Sequence, residues 1–265
     1  MSTNPSKAYA NKEFLNSHEA RSIRVLCELT EPDVRLQSEG VENTIVFFGS
    51  ARSKPLAEAK EELNSYIGKI PSQNELDLDQ KQELARRESS VLLSKYYDDA
   101  VSLSARLTDW VKETDKKYFI CSGGGPGMME AANKGASQAN GKSIAFGISL
   151  PFEQGVNEFA SPELSFEFHY FFLRKFYFLY HAKMVVVFPG GFGTMDELFE
   201  TLTLIQTKKL NKEMPIILFG KEFWEELINF DQFVKWGVIS PKDLNLFKIV
   251  DHVDEAFELI TKNLS

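Results

Sequence analysis

The run VVVFPGGFGTMDELFETLTL, Val185 to Leu204, ends an apolar stretch in a proline and three glycines, then places two acids, Asp196 and Glu197. Glycines let backbone N–H groups come close to a ligand. A helix opening at such a turn adds unpaired N–H groups and the positive end of its dipole. The glycine turn at Gly190–Gly193 is therefore a candidate phosphate site. A carboxylate beside a phosphate is unfavourable unless it faces another part of the ligand. In a nucleotide that part is the ribose. There Glu197 could bind sugar hydroxyls, stabilise a cationic sugar or activate water at the anomeric carbon. The plainer reading is a helix cap, because Thr194 and Glu197 have the spacing of a capping box. Upstream, Arg174 and Lys175 sit in the aromatic run FHYFFLRKFYFLYHA. They are either a pair snorkelling from a buried helix or a cationic clamp for phosphate.

Two more glycine turns follow apolar runs. One is FGSAR. The other is SGGGPGMMEAANKGA, which contains Gly124 and Gly125, with Pro126 near the first position of the next helix. Each could be only a tight turn, but three of them at strand ends point to one anionic ligand. Other phosphate and catalytic signatures fail. From Gly125 the chain reads GPGMME, so the last glycine of the dinucleotide fingerprint is Glu130. ASQANGKS, Ala136 to Ser143, lacks the first glycine of a Walker motif and precedes a strand, so Lys142 reads as a surface lysine. His18, His169, His181 and His252 lack metal-ligand spacing, and no nucleophile elbow is present. Neither a metal nor a cofactor is expected.

The elements that must position these groups alternate along the chain. Short apolar runs lie at Asn43–Ala51, Lys117–Gly125, Ser143–Pro151, Lys183–Gly191, Pro215–Gly220 and Leu246–Asp251. Helical patterns fall near Leu92–Glu113, Pro126–Ala139, Tyr170–Ala182, Thr194–Lys208, Lys221–Trp236 and Val253–Lys262. Such alternation predicts an α/β fold with a mostly parallel sheet, whose ligands sit at the carboxyl ends of the strands. Residues 1–40 read as a helical N-terminal extension. Residues 41–265 read as the catalytic domain, with a helical insertion at about 52–91.

Composition narrows the partners. Hydrophobic residues make up 43% of the 265, enough for a core. A formal net charge of −8 argues against nucleic acid or an anionic membrane as the main partner, though not against a small phosphorylated ligand. Two cysteines form no disulfide framework and the N-terminus has no apolar signal region, so the reading is a cytoplasmic protein. No apolar run reaches the ~18 residues of a membrane span.

With these residues in view, the chain resembles the LOG (Lonely Guy) family. The nine residues PGGFGTMDE, Pro189 to Glu197, match its P-G-G-x-G-T-x-x-E signature without a mismatch, and Arg174 lies 23 positions before Glu197. FGSAR, GGGPGMMEAANKGA and LPFEQGVN resemble further blocks of the family's longer bacterial branch. Together they cover roughly Thr44 to Gly220. The resemblance implies a Rossmann-like, doubly wound sheet with helices on both faces. It implies hydrolysis of AMP or cytokinin nucleotides to free base and ribose 5-phosphate, by a homodimer or higher homo-oligomer. Arg174 and Glu197 would be the catalytic pair. Gly190, Gly191, Gly193 and Thr194 would hold phosphate. Glu153 and Asn157 would lie near base or ribose. The family has often been labelled lysine decarboxylase, but nothing here suggests a pyridoxal-phosphate lysine. A different class stays open, in which a related fold binds nucleotide or molybdenum cofactor without hydrolysis.

Overall fold

Among the described residues, seven parallel strands form one sheet in the order β4-β3-β2-β1-β5-β6-β7. The computed structural model describes residues 5, 7–70, 76–114, 116–150 and 155–265. In chain order the elements are α1 (Lys12–Asn16), α2 (Arg21–Ser38), β1 (Asn43–Phe48), α3 (Leu56–Ile67), α4 (Leu78–Glu113), β2 (Tyr118–Ser122), α5 (Met128–Gln138) and β3 (Ser143–Ile148). They continue with β4 (Ser165–Phe168), α6 (Phe171–Tyr180), β5 (Ala182–Val187), α7 (Phe192–Gln206), β6 (Ile216–Phe219), α8 (Lys221–Leu227), α9 (Phe230–Lys235), β7 (Phe247–Val250) and α10 (Val253–Leu264).

Successive side chains of a strand point to opposite faces, and β1 shows the result. Val46 and Phe48 enter one core, shared with α2, α6, α7 and α8. Ile45 and Phe47 enter the other, shared with α4, α5 and α10. Helices thus cover both faces, and the fold is α/β, Rossmann-like and doubly wound. The chain winds outward from β1 through β4, returns to the other side of β1 at β5, and winds out again. The crevice between the carboxyl ends of β1 and β5 is therefore the place for a ligand.

Three local features depart from the sequence reading. The short edge strand β4 was hidden, because SFEF runs directly into the aromatic segment that follows. The insertion is not separate from the helix after it. α4 runs unbroken for 36 residues from a capping box of Asp77 and Gln80, with α3 packed along its first half. The expected helix at Lys221–Trp236 is two helices, since Ile228 is extended and the Asn229 side chain accepts from the Gln232 backbone to start α9.

Candidate active site

The three glycine turns meet at the crevice and are tied to one another. Ser50 N donates to Pro189 O (3.0 Å), which joins the turn after β1 to that after β5. Met128 N donates to Ser50 O (3.0 Å), which joins it to the start of α5. Gly127 makes that approach possible. Its φ is +71°, and a Cβ there would collide with the backbone of Ser50 and Ala51.

Above these turns lies a cavity of about 1020 Å³. Its lining includes Gly123, Gly125, Gly190, Gly191, Gly193, Thr194, Arg174 and Glu197, together with Arg52. One side is apolar, formed by Leu93, Phe199, Phe223, Leu227, Ile228 and Phe233.

The acid turns out not to be a cap. Gly191, extended at φ −92°, precedes a helix that already begins at Phe192. Thr194 is then the third helical residue and Glu197 the sixth, a full turn too deep to reach the N-terminus. Among the described residues no side chain caps α7, and its first intrahelical bond is Met195 N to Gly191 O. The amides of Phe192, Gly193 and Thr194 are the donors a helix leaves unpaired. They border the cavity.

Glu197 faces Arg174 across the cavity floor. Arg174 Nη1 lies 3.5 Å from Glu197 Oε1, with side chains 10% and 15% exposed. Arg174 is fixed by a 2.7 Å bond from Nε to Phe146 O, and its guanidinium stacks 4.9 Å over the Phe178 ring. Burial pushes the Glu197 carboxyl up to about 7, with Asp196 and Glu200 adding to the rise and Arg174 and Lys175 opposing it.

The remaining expected site residues are placed differently. Lys175 points away from the cavity and pairs with Asp196 (2.7 Å) and Glu200 (3.0 Å) on the outer side of α7. Gly124 lies behind the lining at φ +72°, and its carbonyl accepts both the backbone N–H (2.7 Å) and the side-chain Nδ2 (2.9 Å) of Asn157. Asn157 also donates to Gly125 O and Asn133 Oδ1. It braces the glycine turn instead of facing the cavity. Glu153 lies outside the described residues. Lys142 is a surface lysine paired with Glu39 and Glu163.

Sequence reasoning missed Ser122 and Asn133. Both are fully buried, and Ser122 Oγ donates to Asn133 Oδ1 (2.7 Å) while accepting from Gly124 N. The signal was one asparagine among the alanines of MMEAANKGA. Arg52 was missed too. It follows the glycine turn of β1 directly. Among the described residues, no group of three metal-ligating side chains comes together and no helix is long and apolar enough to cross a membrane.

A family model described as "Possible lysine decarboxylase" matches residues 129–260. The chain is also 27% identical over 165 residues to "Probable cytokinin riboside 5'-monophosphate phosphoribohydrolase LOG4" of Oryza sativa subsp. japonica, covering 61% of this chain and 69% of that protein. Both matches support LOG-family membership. Solved structures similar to this chain include that of TM1055, 19% identical with a TM-score of 0.49, covering 83% of this chain and 99% of that one. The molybdenum cofactor carrier protein MCP of Chlamydomonas reinhardtii is 16% identical with a TM-score of 0.48, covering 84% and 98%. The molybdenum cofactor binding protein of Rippkaea orientalis is 19% identical with a TM-score of 0.44, covering 63% and 89%.

Proposed function

We propose that this chain hydrolyses the N-glycosidic bond of a nucleoside 5'-monophosphate, AMP or a cytokinin riboside monophosphate, releasing the base and ribose 5-phosphate. One juxtaposition carries the reading. The uncapped start of α7 and the Arg174–Glu197 pair border the same cavity. The phosphate takes the amides of Gly191 to Thr194, and Arg52 at the mouth supplies a cation. The base lies against the apolar wall of Phe199, Phe223 and Phe233. As the glycosidic bond breaks, positive charge builds on the ribose. The Glu197 carboxylate stabilises that charge and positions water at the anomeric carbon. Arg174 stays protonated, so it orients ribose and phosphate and donates no proton to the base.

The lysine decarboxylase description finds no support in the side chains. Among the described residues, no lysine lines the cavity to form a Schiff base. A homodimer completes the proposal. Phe171, Phe172, Phe176 and Tyr180 of α6 are exposed on one apolar helix beside Phe192, which is 97% exposed. A second copy would cover them, and light scattering on the purified chain would reveal a mass near twice that of one chain.

Incubation with AMP, adenosine and ATP, followed by chromatography for free adenine, tests the function. AMP should be cleaved and the other two nearly ignored. Charged hydrogen bonds of roughly 1.5–3 kcal/mol each make a lost phosphate worth on the order of 10³-fold or more in kcat/KM. Equal rates on adenosine and AMP would remove the phosphate site from the reading. AMP bound without turnover would favour a nucleotide carrier.

A further inference from the structure

Helix α6 carries Arg174 in its first turn, yet it has no means of its own to satisfy either end. Tyr170 at its N-cap contributes no side-chain bond, its first turn holds no acid and its last turn no base. Both ends are instead held by charges from distant parts of the chain. At the N-terminus, Glu28 of α2 accepts from His169 N through Oε1 (2.9 Å) and from Tyr170 N through Oε2 (3.2 Å). At the C-terminus, the Lys212 ammonium donates to Leu179 O (2.6 Å) and Tyr180 O (2.9 Å). A carboxylate at the start and an ammonium at the end are the signs that the helix dipole favours. Tyr177 Oη, midway along α6, donates to Leu29 O (2.5 Å) and pins the same helix to α2.

We propose that Glu28 and Lys212 are positioning residues for Arg174, clamping α6 so that the guanidinium stays set against Phe146 O and Glu197. The inference rests on the hydrolase reading and gives the N-terminal extension a role in it. The two contacts are unequal. The first helical bond of α6 runs from Leu173 or Arg174 N to Tyr170 O (3.1 and 3.2 Å). Fraying at the Glu28 end therefore moves Arg174 directly, whereas the Lys212 end is a turn and a half away.

The test uses the full chain in three variants. Glu28→Gln keeps one acceptor oxygen but presents an NH₂ group to a second donor. Lys212→Met keeps the aliphatic stem and removes the donors. Glu31→Gln is the control, since Glu31 lies on α2 and pairs only with Arg35 among the described residues. Hydrogen exchange by NMR follows the Arg174 Nε–H, its backbone N–H and the amides of β1 and β5. Steady-state kinetics on AMP follow kcat and KM separately. In Glu28→Gln, exchange at both Arg174 protons should speed at least tenfold while β1 and β5 amides keep their rates. Turnover should fall about tenfold, the size of one lost helix cap, and KM should change less. Lys212→Met should act in the same direction but more weakly, and Glu31→Gln should match the parent. Unchanged exchange at Arg174 would overturn the proposal. So would an equal acceleration throughout the core, which would mean general destabilisation, or local acceleration with turnover intact. If the parent chain cleaves no AMP, the hydrolase reading fails, and the exchange rates still decide whether Glu28 and Lys212 hold Arg174.

Discussion

Arg174 Nη1 and Glu197 Oε1 are 3.5 Å apart, at the long edge of an ion pair, on a floor where both side chains are nearly enclosed. Such a contact compensates only part of the cost of burying a carboxylate. Burial wins, and the Glu197 carboxyl titrates at about 7. The proposed chemistry needs the carboxylate, so kcat should fall tenfold per pH step below about 7 and level off above it. A pH–rate profile on AMP measures this directly. A flat profile between pH 5 and 8 would mean that Glu197 does not act as the charged group.

Replacing that acid separates function from stability. Glu197→Gln keeps an oxygen toward Arg174 and removes the charge that a cationic ribose requires. Turnover should drop by roughly 10²–10³ or more. The variant should nonetheless melt higher than the parent at pH 8. A carboxyl whose folded value is raised contributes stability that is present below its ordinary value near 4.5 and is lost as pH rises through about 7. At pH 8 the parent carries that penalty, at most about 3 kcal/mol, and the amide does not. At pH 4, below the ordinary value, the two should melt nearly together. Calorimetry at both pH values reads the crossover, and a variant that melts lower at pH 8 would show Glu197 to be a structural acid.

Arg174→Lys should lose both activity and stability. One ammonium cannot span the Phe146 carbonyl and the Glu197 carboxylate as the planar fork does. Leaving the buried Phe146 carbonyl unpaired costs about 1–3 kcal/mol. An arginine 8% exposed and stacked on Phe178 is part of the packing. The expected outcome is a melting point lower by several degrees with kcat/KM down by more than the stability loss explains. Full activity at a lowered melting point would make Arg174 a structural residue only.

What the sequence made legible was local. Gly190 to Glu197 is one turn and the helix behind it, so order along the chain already sets the geometry. The alternation of apolar runs and helices likewise foretold the parallel sheet. Direction on a helix was harder to read. Arg174 and Lys175 are adjacent, but neighbouring helical residues diverge by about 100°, which sends Lys175 to Asp196 and Glu200 on the outside. Asn157 was expected near base or ribose only because the resemblance to the LOG family implied it. Its bonds to the Gly124 and Gly125 carbonyls depend on a loop fold that no local pattern announces. The role of α2 was out of reach for the same reason, since Glu28 meets Tyr170 from 142 positions away.

The glycines of the last turn offer a test of where the phosphate sits. A Cβ on Gly190 would collide with the Thr194 side chain, which is buried and cannot swing aside. Gly190→Ala should therefore distort the turn itself, lowering the melting temperature and activity together. Gly191 is the opposite case. Its backbone is in an extended conformation open to any residue, and a Cβ there meets nothing within 4 Å. Gly191→Ala should fold and melt like the parent. If a phosphate oxygen occupies that open space, the added methyl should raise KM for AMP by about tenfold or more, because one blocked charged hydrogen bond is worth roughly 1.5–3 kcal/mol. Melting curves and AMP kinetics on both variants, taken side by side, provide the measurement. A Gly191→Ala enzyme with unaltered KM would place the phosphate elsewhere along the cavity.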